Sequence, residues 1–154
     1  PIKCFDKRVR VASLEPKKQT SIEAFWNYVD SDNVTFIAMV KEIERECYFP
    51  QAEGDELRVG TVSIECIKVE KSKYYTERVF VVNGKTVYHL QINWDDGSHI
   101  ELEALLALLE RIQILEKGNP GSSIYHCKAG YGRTGALFGA LIIKQALDQI
   151  ENLL

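Results

Sequence analysis

Ser123-Ile124-Tyr125-His126-Cys127-Lys128-Ala129-Gly130-Tyr131-Gly132-Arg133-Thr134-Gly135 is the stretch whose reading decides the fold. It opens as a short apolar strand, passes through a loop holding two glycines and enters an apolar, helix-forming segment, Ala136 to Leu154. Cys127 stands where the strand stops, and Arg133 stands where the helix starts. A loop of this kind can turn successive backbone N–H groups inward as an anion nest. The helix N-terminus adds unpaired N–H groups and partial positive charge at the same place. The Arg133 guanidinium adds a planar fork of fixed charge suited to two phosphate oxygens. A thiol inside such a field is stabilised as thiolate, the nucleophilic form.

Working outward, the rest of the chain sets bounds. Its 154 residues suggest one domain with a sizeable core. The net charge of −3 points to neither nucleic acid nor an anionic membrane as partner, so anion binding must be local. Cys4, Cys47, Cys66 and Cys127 form no CxxC pair and no zinc spacing. A free nucleophilic cysteine fits a reducing, intracellular, cytoplasmic setting better than a disulfide framework does. No apolar run is long enough to span a membrane, no signal peptide is visible after Pro1, and nothing suggests a metal or cofactor.

The pattern predicts a strand in Arg8 to Leu14, then a capping box at Thr20-Ser21-Ile22-Glu23 opening a helix with Ile22, Phe25, Trp26 and Val29 inward. Asp30 to Asn33 is a turn, and the run Val34 to Val40 suits a strand buried on both faces. Lys41 to Glu46 reads as a solvated charged loop. Leu57 to Val69 alternates with one slip of phase, Tyr74 to Val82 is another strand, and Asn83-Gly84 turns it back into Lys85 to Asn93. After the turn Trp94 to Gly97, a second capping box, Ser98-His99-Ile100-Glu101, opens a helix with Leu102, Leu105, Leu106, Leu109 and Ile112 inward and Gly118 capping its end. The expected fold class is therefore α/β. A twisted mixed sheet is flanked by helices, and the decisive loop lies at the C-terminal end of a central strand.

His126-Cys127, five residues, then Arg133-Thr134-Gly135 resembles the signature loop of the protein tyrosine phosphatase superfamily. Ala12 to Pro16 is similar to the ATQGP segment of its tyrosine-specific branch, Ala24-Phe25-Trp26 to its DFW helix, Cys47 to Pro50 to a shortened KCxxYWP, Tyr74 to Arg78 to YYTxR, and Trp94 to Gly97 to the WPDxG acid loop. The resemblance covers nearly the whole chain and implies a single phosphatase-like domain over 1–154, compact or truncated. It implies hydrolysis of phosphotyrosine in a phosphoprotein through a phosphocysteine on Cys127. Arg133 and the amides of Lys128, Ala129, Gly130, Tyr131 and Gly132 would hold the phosphoryl oxygens. Thr134 would stabilise the departing thiolate, and His126 would orient the loop. Asp96 is the implied general acid, with Asp95 its rival. Glu44 is the candidate to brace Arg133, in competition with Glu42 and Glu46.

The chain departs from the family in places. Asp95 stands where the acid loop has proline, one residue is missing before Gly97, and the upstream phosphotyrosine loop and downstream glutamine loop are absent. Lys128, directly after the nucleophile, is a residue found in phosphoinositide and some dual-specificity phosphatases, whereas Tyr131 offers an apolar wall to an aromatic ester. The alternatives are thus a dual-specificity or phosphoinositide phosphatase, or a phosphate-binding module with poor turnover.

Overall fold

Strands β1 (Arg10–Ser13), β2 (Val34–Met39), β3 (Glu56–Val59), β4 (Val62–Lys71), β5 (Tyr75–Val82), β6 (Lys85–Ile92) and β7 (Ser122–His126) form one sheet in the order β1-β7-β2-β6-β5-β4-β3. The structure is a computed structural model that describes residues 8–44, 47–94, 99–128 and 132–153. β1, β7, β2 and β6 run parallel, while β6, β5, β4 and β3 form an antiparallel meander. Helix α1 (Gln19–Ser31) connects β1 to β2, α2 (Leu102–Gly118) connects β6 to β7, and α3 (Gly132–Leu153) follows β7. This is the expected α/β class.

Successive side chains on a strand point to opposite faces, and the central strands use both. On β2, Ile37 and Met39 join α1 residues Phe25, Trp26 and Val29 in one core, while Phe36, Ala38 and, just past the strand, Val40 join α2 and α3 residues Leu108, Ile112, Leu137 and Leu141 in the other. That double burial is why 34–40 reads as an almost continuous apolar run. β7 is shared in the same way, with Ile124 in the first core and Tyr125 and Cys127 in the second. Trp26 is core, as its helical spacing predicts; its buried indole N–H donates to the Tyr48 carbonyl at 2.8 Å. Glu116 of α2, also buried, ion-pairs with Arg8 and Arg10 and accepts from the Ser123 hydroxyl, tying α2 to β1 and β7.

The structure corrects several local expectations. The phase slip in Leu57 to Val69 is a hairpin: Val59 pairs with Val62, and Gly60 turns the chain at φ +58°, a conformation side chains with a Cβ disfavour. At Asn83-Gly84 the predicted turn forms, with φ of 45° and 82°, both positive as a primed hairpin turn requires. Helix α1 starts one residue before Thr20, because Ser21 Oγ caps it by accepting the Lys18 N–H at 3.0 Å. Helix α2 starts only after Glu101, and its buried face is Ala104, Leu108, Leu109, Ile112 and Leu115. Leu102 and Leu106 are exposed instead, because the face that packs on the sheet runs through Ala104, Leu108 and Ile112. Gly118 is the last residue of α2, and Asn119 is its cap.

Candidate active site

β7 lies between β1 and β2, parallel to both, so its C-terminal end emerges inside the sheet, one strand in from the β1 edge. His126 ends the strand and Cys127 follows it; both side chains are buried. The Val40 N–H donates to the His126 carbonyl at 2.7 Å, carrying the β2–β7 ladder one step past the end of β2. The strand therefore delivers Cys127 at a defined height, with its side chain in the second core.

Helix α3 begins at Gly132, so Arg133 and Thr134 occupy its first turn, where backbone N–H groups lack intrahelical partners. Both side chains are buried. Arg133 Nη1 donates to the Trp94 carbonyl at 2.7 Å. Trp94 follows β6 and packs on the second core, so this bond joins the start of α3 to the point where β6 leaves the sheet. Thr134 Oγ1 is buried and has no hydrogen-bond partner among the described residues. Lys128 is exposed, directly beside Cys127. Asp95, Asp96, Ala129, Gly130, Tyr131 and Glu46 lie outside the described residues.

Glu44 does not brace Arg133. Its exposed carboxylate pairs with Lys17 at 3.3 Å and Lys41 at 3.2 Å, which together hold its pKa below the usual carboxylate range. Glu42 is exposed. Nor is the segment from Lys41 simply solvated. Lys41 is buried at 4% exposure and bonded at 2.5 Å to Glu15, itself buried. Its carbonyl accepts from Gln91 Nε2 at 2.9 Å, and the same amide donates to Asn93 Oδ1 at 2.7 Å. Lys41 and Gln91 thus tie the ends of β2 and β6 together beside the site.

Sequence reading also missed Tyr48 and His89. Tyr48 is buried, and its hydroxyl lies 2.5 Å from His126 Nε2 and 3.0 Å from His89 Nε2. His126 Nδ1 lies 3.4 Å from the Cys127 carbonyl oxygen. Burial pushes His126 down to about 4; the charge of Lys41 acts the same way, and the Cys127 carbonyl opposes both. Burial likewise holds His89 well below the usual histidine range and Tyr48 well above its own. His99, by contrast, is exposed. The only signal for Tyr48 in the sequence was its place in Cys47 to Pro50. The Cys47 and Cys66 thiols are pushed up by burial, which makes them poorer nucleophiles at neutral pH.

The Protein-tyrosine phosphatase family model matches residues 3–153. The chain is 32% identical to the tyrosine-protein phosphatase corkscrew of Drosophila virilis over 145 residues, covering 82% of this chain and 18% of that protein. It is 31% identical to the human tyrosine-protein phosphatase non-receptor type 18, over 89% of this chain and 32% of that one. It is 27% identical to the human receptor-type tyrosine-protein phosphatase C, over 93% of this chain and 12% of the relative. The chain thus spans a third or less of the length of these relatives. With the Cys127 strand and the Arg133 helix arranged as described and the match running from end to end, the chain belongs to the protein-tyrosine phosphatase family.

Proposed function

We propose that this chain is a cysteine-dependent phosphatase domain that hydrolyses phosphotyrosine in protein substrates. One observation carries the reading. Cys127 leaves a buried interior strand while Arg133, in the first turn of the following helix, is bonded to the Trp94 carbonyl at the head of the candidate acid segment. The anion-holding fork is thereby joined to the residue that precedes the candidate acid segment.

In the reaction, Cys127 Sγ attacks phosphorus in line, and the S–P bond forms as the bond to the tyrosine oxygen breaks. Charge in the transition state falls on oxygens held by Arg133 and the loop amides, which is positioning plus electrostatic stabilisation. The phenoxide takes a proton from Asp96. Water then attacks the phosphocysteine, Asp96 takes its proton, and the thiolate leaves. Thr134 Oγ1, buried without a described partner, is a donor available to that thiolate. Lys128 stands at the rim, where it meets an acidic or multiply phosphorylated substrate.

A cytoplasmic, reducing setting suits a nucleophilic thiol. Among the described residues no helix is long and apolar enough to cross a membrane. The exposed Lys128 favours a second reading, dual-specificity or phosphoinositide hydrolysis, which the same assay separates. Phosphotyrosine, phosphoserine and phosphoinositide substrates are turned over in parallel with p-nitrophenyl phosphate; the expected order puts phosphotyrosine first. Stoichiometric phosphate binding without turnover overturns the enzymatic reading in favour of a phosphate-binding module.

A further inference from the structure

His89 sits on β6 in the first core, with its ring centroid 4.4 Å from Phe49, 5.3 Å from Phe80 and 6.0 Å from Tyr48. An imidazole is a costly choice in such surroundings unless its polar atoms are used. Only Nε2 is: it meets the Tyr48 hydroxyl, while Nδ1 has no hydrogen-bond partner among the described residues.

The direction of every bond here follows from one fact, that a carbonyl oxygen only accepts. His126 Nδ1, facing the Cys127 carbonyl, must carry the ring's hydrogen. A neutral imidazole has one N–H and one acceptor nitrogen, so His126 Nε2 accepts. The single Tyr48 hydrogen therefore goes to His126. The Tyr48 oxygen must then accept from His89, whose hydrogen is on Nε2. That assignment leaves His89 Nδ1 a bare acceptor, less costly to bury unpaired than an N–H donor. Burial keeps all three groups neutral near neutral pH, so the proton pattern does not change there.

The far end of the relay is the carbonyl of the residue that bears the nucleophile. A carbonyl held on a ring N–H is not free to turn toward an anion in the loop that Cys127 opens, where its negative oxygen would repel the phosphoryl group. We propose that His89 is a positioning residue for the phosphatase reaction: its Nε2–H, passed through Tyr48 and His126, holds the tautomer that orients the Cys127 carbonyl. This rests on the enzymatic reading above.

The test uses the full chain. Ring-nitrogen NMR of the wild type is expected to show hydrogen on His126 Nδ1 and on His89 Nε2; the opposite tautomer on His126 overturns the relay. In kinetics with p-nitrophenyl phosphate, His89→Phe keeps the ring packing but loses the donor. It is expected to lower kcat about tenfold, the worth of one ordinary hydrogen bond. KM should rise and inhibition by inorganic phosphate should weaken with it, since a carbonyl turned into the loop repels a bound phosphate anion as well as the transition state. Tyr48→Phe should give a similar loss, the double variant no more than either single one, and His89→Gln, which restores a donor near Nε2, a partial recovery. An unchanged kcat in His89→Phe, or losses that add, overturns the proposal. If His89→Phe fails to fold, the wild-type tautomers decide. Absence of turnover in the wild type itself is a separate result, one that removes the enzymatic reading and the kinetic role together.

Discussion

Arg133 Nη1 donates to the Trp94 carbonyl at 2.7 Å, so the helix that follows the nucleophile and the strand that leads to the candidate acid are joined by one guanidinium. A lysine ammonium has the charge but not the planar fork, and cannot hold a carbonyl and a phosphoryl group in fixed relative geometry. Arg133→Lys is expected to lower kcat/KM for p-nitrophenyl phosphate by roughly 10²–10³, the loss typical of removing one oriented transition-state donor. Equal kcat/KM in the two proteins would remove Arg133 from that role.

Cys127→Ser should abolish turnover and leave phosphate binding in place. The hydroxyl is a weak nucleophile without an adjacent base, whereas Arg133 and the helix start are untouched. Calorimetric titration with a phosphotyrosine peptide measures the binding, and a spectrophotometric assay measures the turnover. Hydrolysis near the wild-type rate would show that another group attacks phosphorus.

Asp96, two residues after Trp94, is expected to be the general acid, and Asp95 is not. An acid that protonates the leaving oxygen is worth roughly 10²–10⁴-fold, and most for poor leaving groups. Asp96→Asn should therefore slow phenyl phosphate far more than an ester with a very acidic leaving group, while Asp95→Asn should leave that dependence unchanged. The reverse outcome means that the residue missing before Gly97 has shifted the register.

Lys41 and Glu15 are expected to matter for stability more than their charge suggests. Their side chains are 5% and 3% exposed and bonded at 2.5 Å. Lys41→Met leaves the Glu15 carboxylate buried and unpaired, a cost of about 3–5 kcal/mol. Urea unfolding measures it, with Glu44→Ala as the comparison: that carboxylate is exposed, and its loss should leave the midpoint near wild type. Similar midpoints for the two variants would contradict the burial of the pair.

Stability should also fall as the solution is acidified. The unfolded chain protonates His126 near 6.5, but the folded chain does so only near 4. Between those values the unfolded state binds more protons. Folding is therefore progressively disfavoured as pH drops from 6.5 to 4, by roughly 3 kcal/mol in all, with His126 contributing no further change below that window. His89 acts in the same direction. Urea unfolding across pH 4 to 7.5 should show a shallower dependence in His126→Asn than in the wild type. Identical slopes would place the acid sensitivity elsewhere.

The sequence by itself determined those features that depend on neighbours along the chain. Strand, loop and helix around Cys127 and Arg133 follow from apolar runs and glycines within a few residues of each other. The Asn83-Gly84 turn follows from local dihedral preference, and the double burial of β2 from its almost continuous apolar run. Tertiary structure alone decided the rest. The break in Leu57 to Val69 became a hairpin in which β3 folds back on one edge of β4, whose other edge pairs with β5. Which leucines of α2 are buried was set by the face that packs on the sheet, through Ala104, Leu108, Leu109 and Ile112. The partners of Lys41, Glu44, Tyr48 and His89 come from positions 3 to 78 residues away in the chain. Spacing along a sequence says nothing of which buried polar groups face one another across a sheet. That pairing is imposed by desolvation, which leaves each of them to find a partner wherever the fold brings one.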